Sequence, residues 1–139
     1  MRQRSRHDLV LKLAIYALFL DFAWEMLQGS YFVGMVELPW WVATWMCLRA
    51  SIGDAVMVVL AYLAVAATTR DPQWTLQNRV PSHLAFFGLA ALQALALEWI
   101  SIELHRWSYV PAMPVDPVLG LGLAPILQWI GMPFLSLWV

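Results

Sequence analysis

The sequence predicts an all-α, polytopic integral membrane protein with four transmembrane helices in an antiparallel bundle, and three observations lead to this prediction. Of its 139 residues, 62% are hydrophobic and only 12% are charged, whereas soluble domains carry about 25% charged residues. The apolar residues form runs of about 20, the length that crosses a bilayer as a helix. Four such runs nearly fill the chain, so we predict a single transmembrane domain over residues 1–139.

The predicted spans cover residues 9–28, 50–69, 82–104 and 118–139, and residues 73–81 are predicted to form a polar loop. Between the first two spans, residues 30–49 contain a proline and three tryptophans. Tryptophan is enriched in the headgroup layer, so this linker is typical of an interfacial helix that runs into span 2. Span 4 is rich in glycine and proline, which indicates that it packs against protein rather than lipid.

The positions of lysine and arginine predict the orientation, because these residues are enriched on the cytoplasmic side. With the N-terminus inside, six of the eight basic residues lie on the cytoplasmic side, and only Arg49 and Arg106 lie outside. The six are Arg2, Arg4, Arg6, Lys12, Arg70 and Arg79. Both termini are therefore predicted to be cytoplasmic.

Charge and cysteine content exclude several kinds of partner and site. The net charge is −1 and no basic patch with interleaved aromatic residues occurs, so we predict no nucleic-acid partner. Cys47 is the only cysteine. This excludes an internal disulfide and a metal site built on several thiolates.

Acidic residues inside the spans are predicted to meet near the outer membrane surface. At about 1.5 Å per helical residue, Asp21 lies about 10 Å deep, Asp54 about 6 Å and Glu98 about 9 Å. Glu25 is four residues after Asp21 and shares its helix face. Gln128 lies deeper, at about 15 Å. Intramembrane ionisable residues usually face the bundle interior and mark function, so we expect a common polar cluster.

The candidate site residues divide into two roles. If the protein is an enzyme, Glu98 and Asp21 are the acid and base, because carboxyl groups crowded together are suited to proton transfer. The candidate binding residues are Glu25, Asp54, Glu103, His105, Arg106, Trp107, Tyr109, Gln128, Trp24 and Trp99. In the structural alternative, the acids only pair with Arg49, Arg106 and one another.

The cofactor is left unknown by the sequence. Glu98 and His105 are seven residues apart on one helix face, and together with Asp21 or Glu25 they are residue types that ligate a divalent metal. A haem or pigment bound through a single histidine is equally open.

Two resemblances follow from longer strings of residues. The strings Phe22-Ala23-Trp24-Glu25, Gly53-Asp54, Arg106-Trp107-Ser108-Tyr109 and Pro125-Ile126-Leu127-Gln128-Trp129 resemble a group of small, uncharacterised four-span bacterial inner-membrane proteins. This resemblance implies a bacterial inner (plasma) membrane location. The succession of Trp107-Ser108-Tyr109, Leu119-Gly120 and Pro125-Ile126 is also similar to small lycopene-cyclase-type carotenoid-modifying proteins, which have paired glutamates where this chain has Leu127-Gln128. A cyclase activity would therefore take its acid from Glu98 or Glu103.

Three functions stay open at this level. The first expectation is an accessory or assembly subunit of a larger membrane complex, since the chain is small and no strong catalytic motif occurs. The second is an enzyme that acts on a lipid or isoprenoid by carboxylate acid–base chemistry, with a hydrophobic small molecule as its partner. The third is a cation or proton carrier. Membrane lipids are partners in all three.

Overall fold

The computed structural model describes residues 6–77 and 79–137. Over these residues the chain is all-helical, with four α-helices and no β-strand. They are α1 (Arg6–Gln28), α2 (Trp40–Thr69), α3 (Val80–Glu103) and α4 (Leu123–Ser136), and short 3-10 helices cover Gly29–Tyr31, Met35–Glu37 and Trp74–Leu76. The all-α prediction is confirmed.

Helices α2 and α3 are each long and apolar enough to cross a membrane. Helix α1 ends at the same residue as the first predicted span and begins three residues before it. Both ends of α3 lie within two residues of the ends of the third predicted span. In these two regions the apolar pattern and the turn residues predicted the helices closely.

Helix α2 is one continuous helix of 30 residues that starts at Trp40, ten residues before the second predicted span. Residues 40–49 therefore form a helix that runs directly into residues 50–69, as the sequence predicted, and the interfacial position of these ten residues stays a prediction. Pro39 is the N-cap, and its carbonyl accepts hydrogen bonds from the backbone N–H groups of Val42 and Ala43. Nothing between Pro39 and Thr69 interrupts the backbone hydrogen bonds, since Gly53 is tolerated inside a helix.

The fourth helix is shorter than predicted, covering 14 residues, Leu123–Ser136, or about 21 Å at 1.5 Å per residue. Residues 118–122 instead belong to a closed turn in which Gly120 has a φ of +68°. A positive φ is easily adopted only by glycine, and it is incompatible with continuing a helix. The predicted end of the span at residues 138–139 lies outside the described residues.

The loop between α2 and α3, which the sequence predicts to be polar, places one aromatic side chain in the hydrophobic core. Trp74 is completely buried, its ring centroid lies 5.7 Å from that of Tyr62 and 5.6 Å from that of Phe86, and its indole N–H donates to the Tyr62 carbonyl. Fully buried alanines on three helices, Ala17, Ala61 and Ala90, complete this core. The loop is therefore part of the hydrophobic core.

Candidate functional site

The side-chain amide of Gln128 joins three helices at the end of the bundle where α1 ends. Its Nε2 donates to Asp21 Oδ1 on α1 at 3.1 Å and to Asp54 Oδ2 on α2 at 3.0 Å. Gln128 is 1% exposed, so the surrounding protein supplies its hydrogen-bond partners. Both of its N–H donors are used, one on each carboxyl group.

A second glutamine, Gln28, extends this arrangement to Glu25. Its Nε2 donates to Glu25 Oε1 and to Gln128 Oε1, both at 2.7 Å. Its Oε1 accepts from the indole N–H of Trp24 at 3.1 Å, and the same indole lies 3.2 Å from the Ala124 carbonyl of α4. Gln28 was not among the predicted site residues, although its place at the end of α1, three residues after Glu25, could have pointed to it.

The orientation of the two glutamine side-chain amides, Gln28 and Gln128, follows from Trp24. An indole N–H can only donate, so Gln28 must present its oxygen to Trp24 and its NH₂ group to Glu25 and Gln128. Gln128 must then present its oxygen to Gln28 and its NH₂ group to Asp21 and Asp54. Each amide therefore has one arrangement that satisfies all of its partners. We call Gln28, Gln128, Glu25, Asp21 and Asp54 the amide–carboxyl network.

Among the side chains that the structure describes, the carboxyl groups of the network have no basic partner: no lysine, arginine or histidine forms an ion pair with Asp21, Glu25 or Asp54. Asp21 is 2% exposed. Its Oδ2 is buried and has no hydrogen-bond partner among the described residues. Because a buried charge is costly unless it is compensated, the network requires protons or an external cation.

Glu98 on α3 is held separately from the amide–carboxyl network. Its Oε1 accepts hydrogen bonds from the Tyr109 hydroxyl and from the Trp107 indole N–H at 3.3 Å. It still lies within electrostatic range of Glu25 and Asp54. The predicted single cluster is thus two neighbouring groups, because the loop after α3, rather than Gln128, supplies the partners of Glu98.

The loop after α3 is fixed in place by the segment after α1. Backbone N–H groups of Val33 and Val110 donate to the carbonyls of Ser108 and Tyr31, at 3.0 and 2.9 Å. The Phe32 ring packs edge-on against Trp107 and tilted against Tyr109, with centroids 6.3 and 5.6 Å apart. These contacts hold the two donors over Glu98. Burial, and next the hydrogen bond to Glu98, raise the pKa of Tyr109 above its usual range, so its hydroxyl remains a donor.

Asp116 organises the turn that leads into α4. Its carboxylate accepts from the backbone N–H groups of Val118, Leu119 and Leu121 at 2.8–2.9 Å. The hydrogen bonds from Leu119 and Leu121 hold the pKa of Asp116 below its ordinary value. The turn sets where α4 begins, and so it places Gln128 only five residues into the helix. This is about 8 Å along its axis, rather than the predicted 15 Å, and it brings Gln128 level with Asp21.

Gly122 allows Tyr109 to approach the start of α4. Its N–H donates to the Tyr109 hydroxyl at 3.0 Å, and a Cβ added here would lie 2.9 Å from Met113 Cε and 3.1 Å from Tyr109 Cζ. We expect Gly122→Ala to displace Tyr109 from Glu98 and to lower the free energy of unfolding by about 1–3 kcal/mol, the usual cost of overpacking.

Gly131→Ala, inside α4, is the matched control, because no atom outside the neighbouring backbone of its own helix lies within 4 Å of the added Cβ. It should leave the free energy of unfolding unchanged or raise it by about 0.5–1 kcal/mol. Both are measured by SDS titration in mixed micelles. Equal stabilities of the two variants would contradict the close approach at Gly122.

Glu98 also lines an apolar cleft of about 110 Å³ between α3 and α4. Its other wall residues are hydrophobic, and two of them, Leu95 and Ile130, are exposed on the outside of the bundle. Oε2 of Glu98 accepts no hydrogen bond from the described residues. The surface of the cleft is almost entirely apolar, so Glu98 contributes little polar surface to it.

The remaining predicted residues lie outside this arrangement. Glu103, His105 and Trp99 are exposed, and the guanidinium of Arg106 lies 6.0 Å from the centroid of the Trp107 ring. Within residues 6–77 and 79–137, Glu98 forms no ion pair with Arg106 or Arg49. The same residues contain no group of three or more His, Cys, Asp or Glu side chains that could hold a metal ion.

No protein-family model matches this chain, and no curated protein or solved structure matches it significantly.

Proposed function

We propose that the chain crosses a bacterial inner membrane four times, with both termini in the cytoplasm. The length and apolar character of α2 and α3 support this topology, as does the unequal distribution of lysine and arginine. In this orientation, the amide–carboxyl network and Glu98 lie in the outer half of the membrane. The apolar cleft then faces the lipid.

We further propose that the protein binds a hydrophobic small molecule of the lipid or isoprenoid class in the cleft between α3 and α4. The observation that carries this proposal is the apolar cleft itself, whose wall includes Glu98 and which opens to the outside of the bundle. Binding sites for small molecules combine mostly apolar walls with a few placed polar groups. The apolar chain of the ligand would occupy the cleft, and its polar end would meet Glu98.

Acid–base catalysis is the enzymatic form of the same proposal. Glu98 Oε2 is the atom that would exchange a proton with the ligand, while Tyr109 and Trp107 keep Oε1 in place. The amide–carboxyl network contributes the nearby charge, with Asp21 as its most buried acid. In this role Glu98 is the catalytic residue, and Tyr109 and Trp107 are positioning residues.

A second candidate function is an accessory or assembly subunit of a larger membrane complex. The exposed tryptophans at the start of α2, Trp40, Trp41 and Trp45, favour it, because tryptophan is enriched at protein interfaces. A cation or proton carrier would use the uncompensated acids of the amide–carboxyl network instead of the cleft.

Filling the cleft tests the binding proposal. Ala91 lines the cleft, and we expect Ala91→Leu to reduce a bound hydrophobic molecule at least about tenfold, a loss of about 1.4 kcal/mol in binding free energy. The control is Ala96→Leu on the exposed side of the same helix. Each variant is purified in mild detergent, and co-purifying molecules are measured by native mass spectrometry.

The outcomes separate the candidate functions. A molecule of the lipid or isoprenoid class bound by the wild type and by Ala96→Leu, but lost from Ala91→Leu, supports the proposal. The same co-purifying molecules in all three proteins would overturn it. Stoichiometric protein subunits, unaffected by either substitution, would favour the accessory function.

A further inference from the structure

A second apolar groove lies on the surface of the bundle, between α1 and α2. It has a volume of about 940 Å³ and is lined by residues of these two helices. Half-buried side chains of α1, such as Val10, Ala14 and Leu18, form its floor together with the buried Ala55 of α2. More exposed side chains form its edges: Leu11, Ile15, Ile52, Val56 and Leu60. The groove therefore offers a hydrocarbon chain a floor and two walls.

The length of this groove matches one leaflet of a bilayer. Its wall residues extend from His7 to Leu18 on α1 and from Ile52 to Leu63 on α2, and at 1.5 Å per residue each stretch is about 16–17 Å long. The hydrocarbon core of a bilayer is about 30 Å thick, to which one leaflet contributes about 15 Å. An acyl chain aligned with the two helices would occupy the groove from one end to the other.

The two ends of the groove differ in polarity. Because Asp21 and Asp54 both bond to Gln128, the end at Leu18 is the end nearer the amide–carboxyl network. At the opposite end lies His7, the only polar side chain among the described residues that line the groove. An imidazole N–H can donate to a phosphate oxygen. In the orientation we propose, this donor lies at the cytoplasmic surface, at the level of the lipid headgroups.

Basic residues outnumber acidic ones at the His7 end of α1 and α2. Arg6 is the first residue of α1, and the exposed Arg70 directly follows α2. The sequence adds Arg2 and Arg4 before α1. This excess of positive charge favours an anionic headgroup over a zwitterionic one.

The two acids at this end do not offset the excess. The Asp71 carboxylate accepts hydrogen bonds from the backbone N–H of Gln73 and from Nε2 of Gln77, so it holds the loop after α2 in place. Asp8, in the first turn of α1, also has an interaction partner. Arg70 and His7 therefore remain as the exposed groups of the described residues that suit a phosphate.

We propose that the groove between α1 and α2 binds an anionic phospholipid of the cytoplasmic leaflet. One acyl chain lies in the groove, and the phosphate accepts a hydrogen bond from His7 and pairs with Arg70. Basic sites between transmembrane helices on the cytoplasmic side are known to bind anionic headgroups. This inference concerns a different surface from the cleft between α3 and α4, and it rests on the membrane topology proposed above.

Two lipids with the same acyl chains separate the headgroup from the chains. Anionic phosphatidylglycerol and zwitterionic phosphatidylcholine are each titrated onto the delipidated full chain in mild detergent, and bound lipid is measured by native mass spectrometry. We expect phosphatidylglycerol to bind at least about tenfold more tightly, because each basic side chain near an anionic headgroup adds attraction. The preference should decrease as the salt concentration rises.

Substitutions at the floor and at the polar end assign the lipid to this groove. Ala14→Leu fills the floor and should weaken the binding of both lipids at least about tenfold, by the steric cost of overpacking, whereas Ala23→Leu on the exposed side of α1 should not. The double variant His7→Leu, Arg70→Gln should keep its affinity for phosphatidylcholine and lower the preference for phosphatidylglycerol to about twofold or less. Arg49→Gln, which removes an exposed charge elsewhere on α2, should behave as wild type. The double variant alters exposed side chains, so it keeps the inference testable if Ala14→Leu does not fold.

Several results would overturn this inference. Equal affinity for the two lipids is one, and a preference for phosphatidylglycerol that survives in both Ala14→Leu and the double variant is another. A dimer that Ala14→Leu dissociates, without any lipid preference, would assign the groove to a second copy of this chain.

Ala91→Leu distinguishes this inference from the proposed function. Phosphatidylglycerol binding that is lost in Ala91→Leu and kept in Ala14→Leu would place the lipid in the cleft between α3 and α4 and overturn the inference. A preference that is lost in Ala14→Leu and kept in Ala91→Leu supports it. If Ala91→Leu in that case also changes no co-purifying molecule, the cleft proposal alone is wrong.

Discussion

Gln128→Leu is expected to lower the free energy of unfolding by about 2–4 kcal/mol, a large share of the total stability of a small domain. The substitution removes both donors that Asp21 and Asp54 share and the oxygen that accepts from Gln28. A buried group left without its partner costs about 1–3 kcal/mol in soluble proteins, but hydrogen bonds between membrane helices average about 0.6 kcal/mol. Three lost bonds give the stated range. SDS titration in mixed micelles measures it.

Gln93→Leu is the matched control for this prediction. Gln93 is a glutamine on α3, and its Oε1 is buried without a hydrogen-bond partner among the described residues. Replacing an unsatisfied polar group by an apolar one is neutral or stabilising, so Gln93→Leu should be at least as stable as the wild type. Equal stabilities of the two variants would contradict the contribution of the Gln128 hydrogen bonds to the stability of the bundle.

Trp74→Ala is expected to cost about 3–5 kcal/mol, the usual range for truncating a large buried aromatic residue. Trp74 is completely buried, and removing its ring opens a cavity between Tyr62 on α2 and Phe86 on α3. The Tyr62 carbonyl also loses the indole donor. The free energy of unfolding is measured as for Gln128→Leu.

Trp99→Ala is the control for the buried tryptophan. Trp99 lies on α3 with 54% of its surface exposed, and an exposed tryptophan is replaced without leaving a cavity in the protein. We expect this substitution to cost less than about 1 kcal/mol, as surface substitutions usually do. Similar losses for Trp74→Ala and Trp99→Ala would contradict the core position of the loop between α2 and α3.

The sequence predicted membrane depths for the acidic residues from the fixed rise per residue of a helix, and those depths stay predictions. Asp21 and Asp54 were expected at similar depths, and both accept hydrogen bonds from Gln128. The rotation of each helix about its axis was not predictable from depth alone. This is why Glu98, at a similar depth, bonds to Tyr109 and Trp107 instead of joining the other acids.

The parts that sequence reasoning missed depend on contacts between distant segments. Trp74 stands among polar residues, so no hydrophobic pattern in the neighbouring sequence predicts its burial against Tyr62 and Phe86. The start of α4 depends on a turn held by the Asp116 carboxylate, whereas the apolar run around it suggested a longer helix. Gln28 is the last residue of the first predicted span, where a polar side chain is ordinary, so the search for polar groups inside the spans did not select it.

The convergence of α1, α2 and α4 on Gln128 is tested most directly by a double-mutant cycle. The free energy of unfolding is measured for the wild type, Asp21→Leu, Gln128→Leu and the double variant. Because the two side chains share a hydrogen bond of 3.1 Å, Gln128→Leu should cost about 1 kcal/mol less once Asp21 is already leucine. Costs that add within about 0.3 kcal/mol would mean that the two residues do not interact, and the network described here would be wrong.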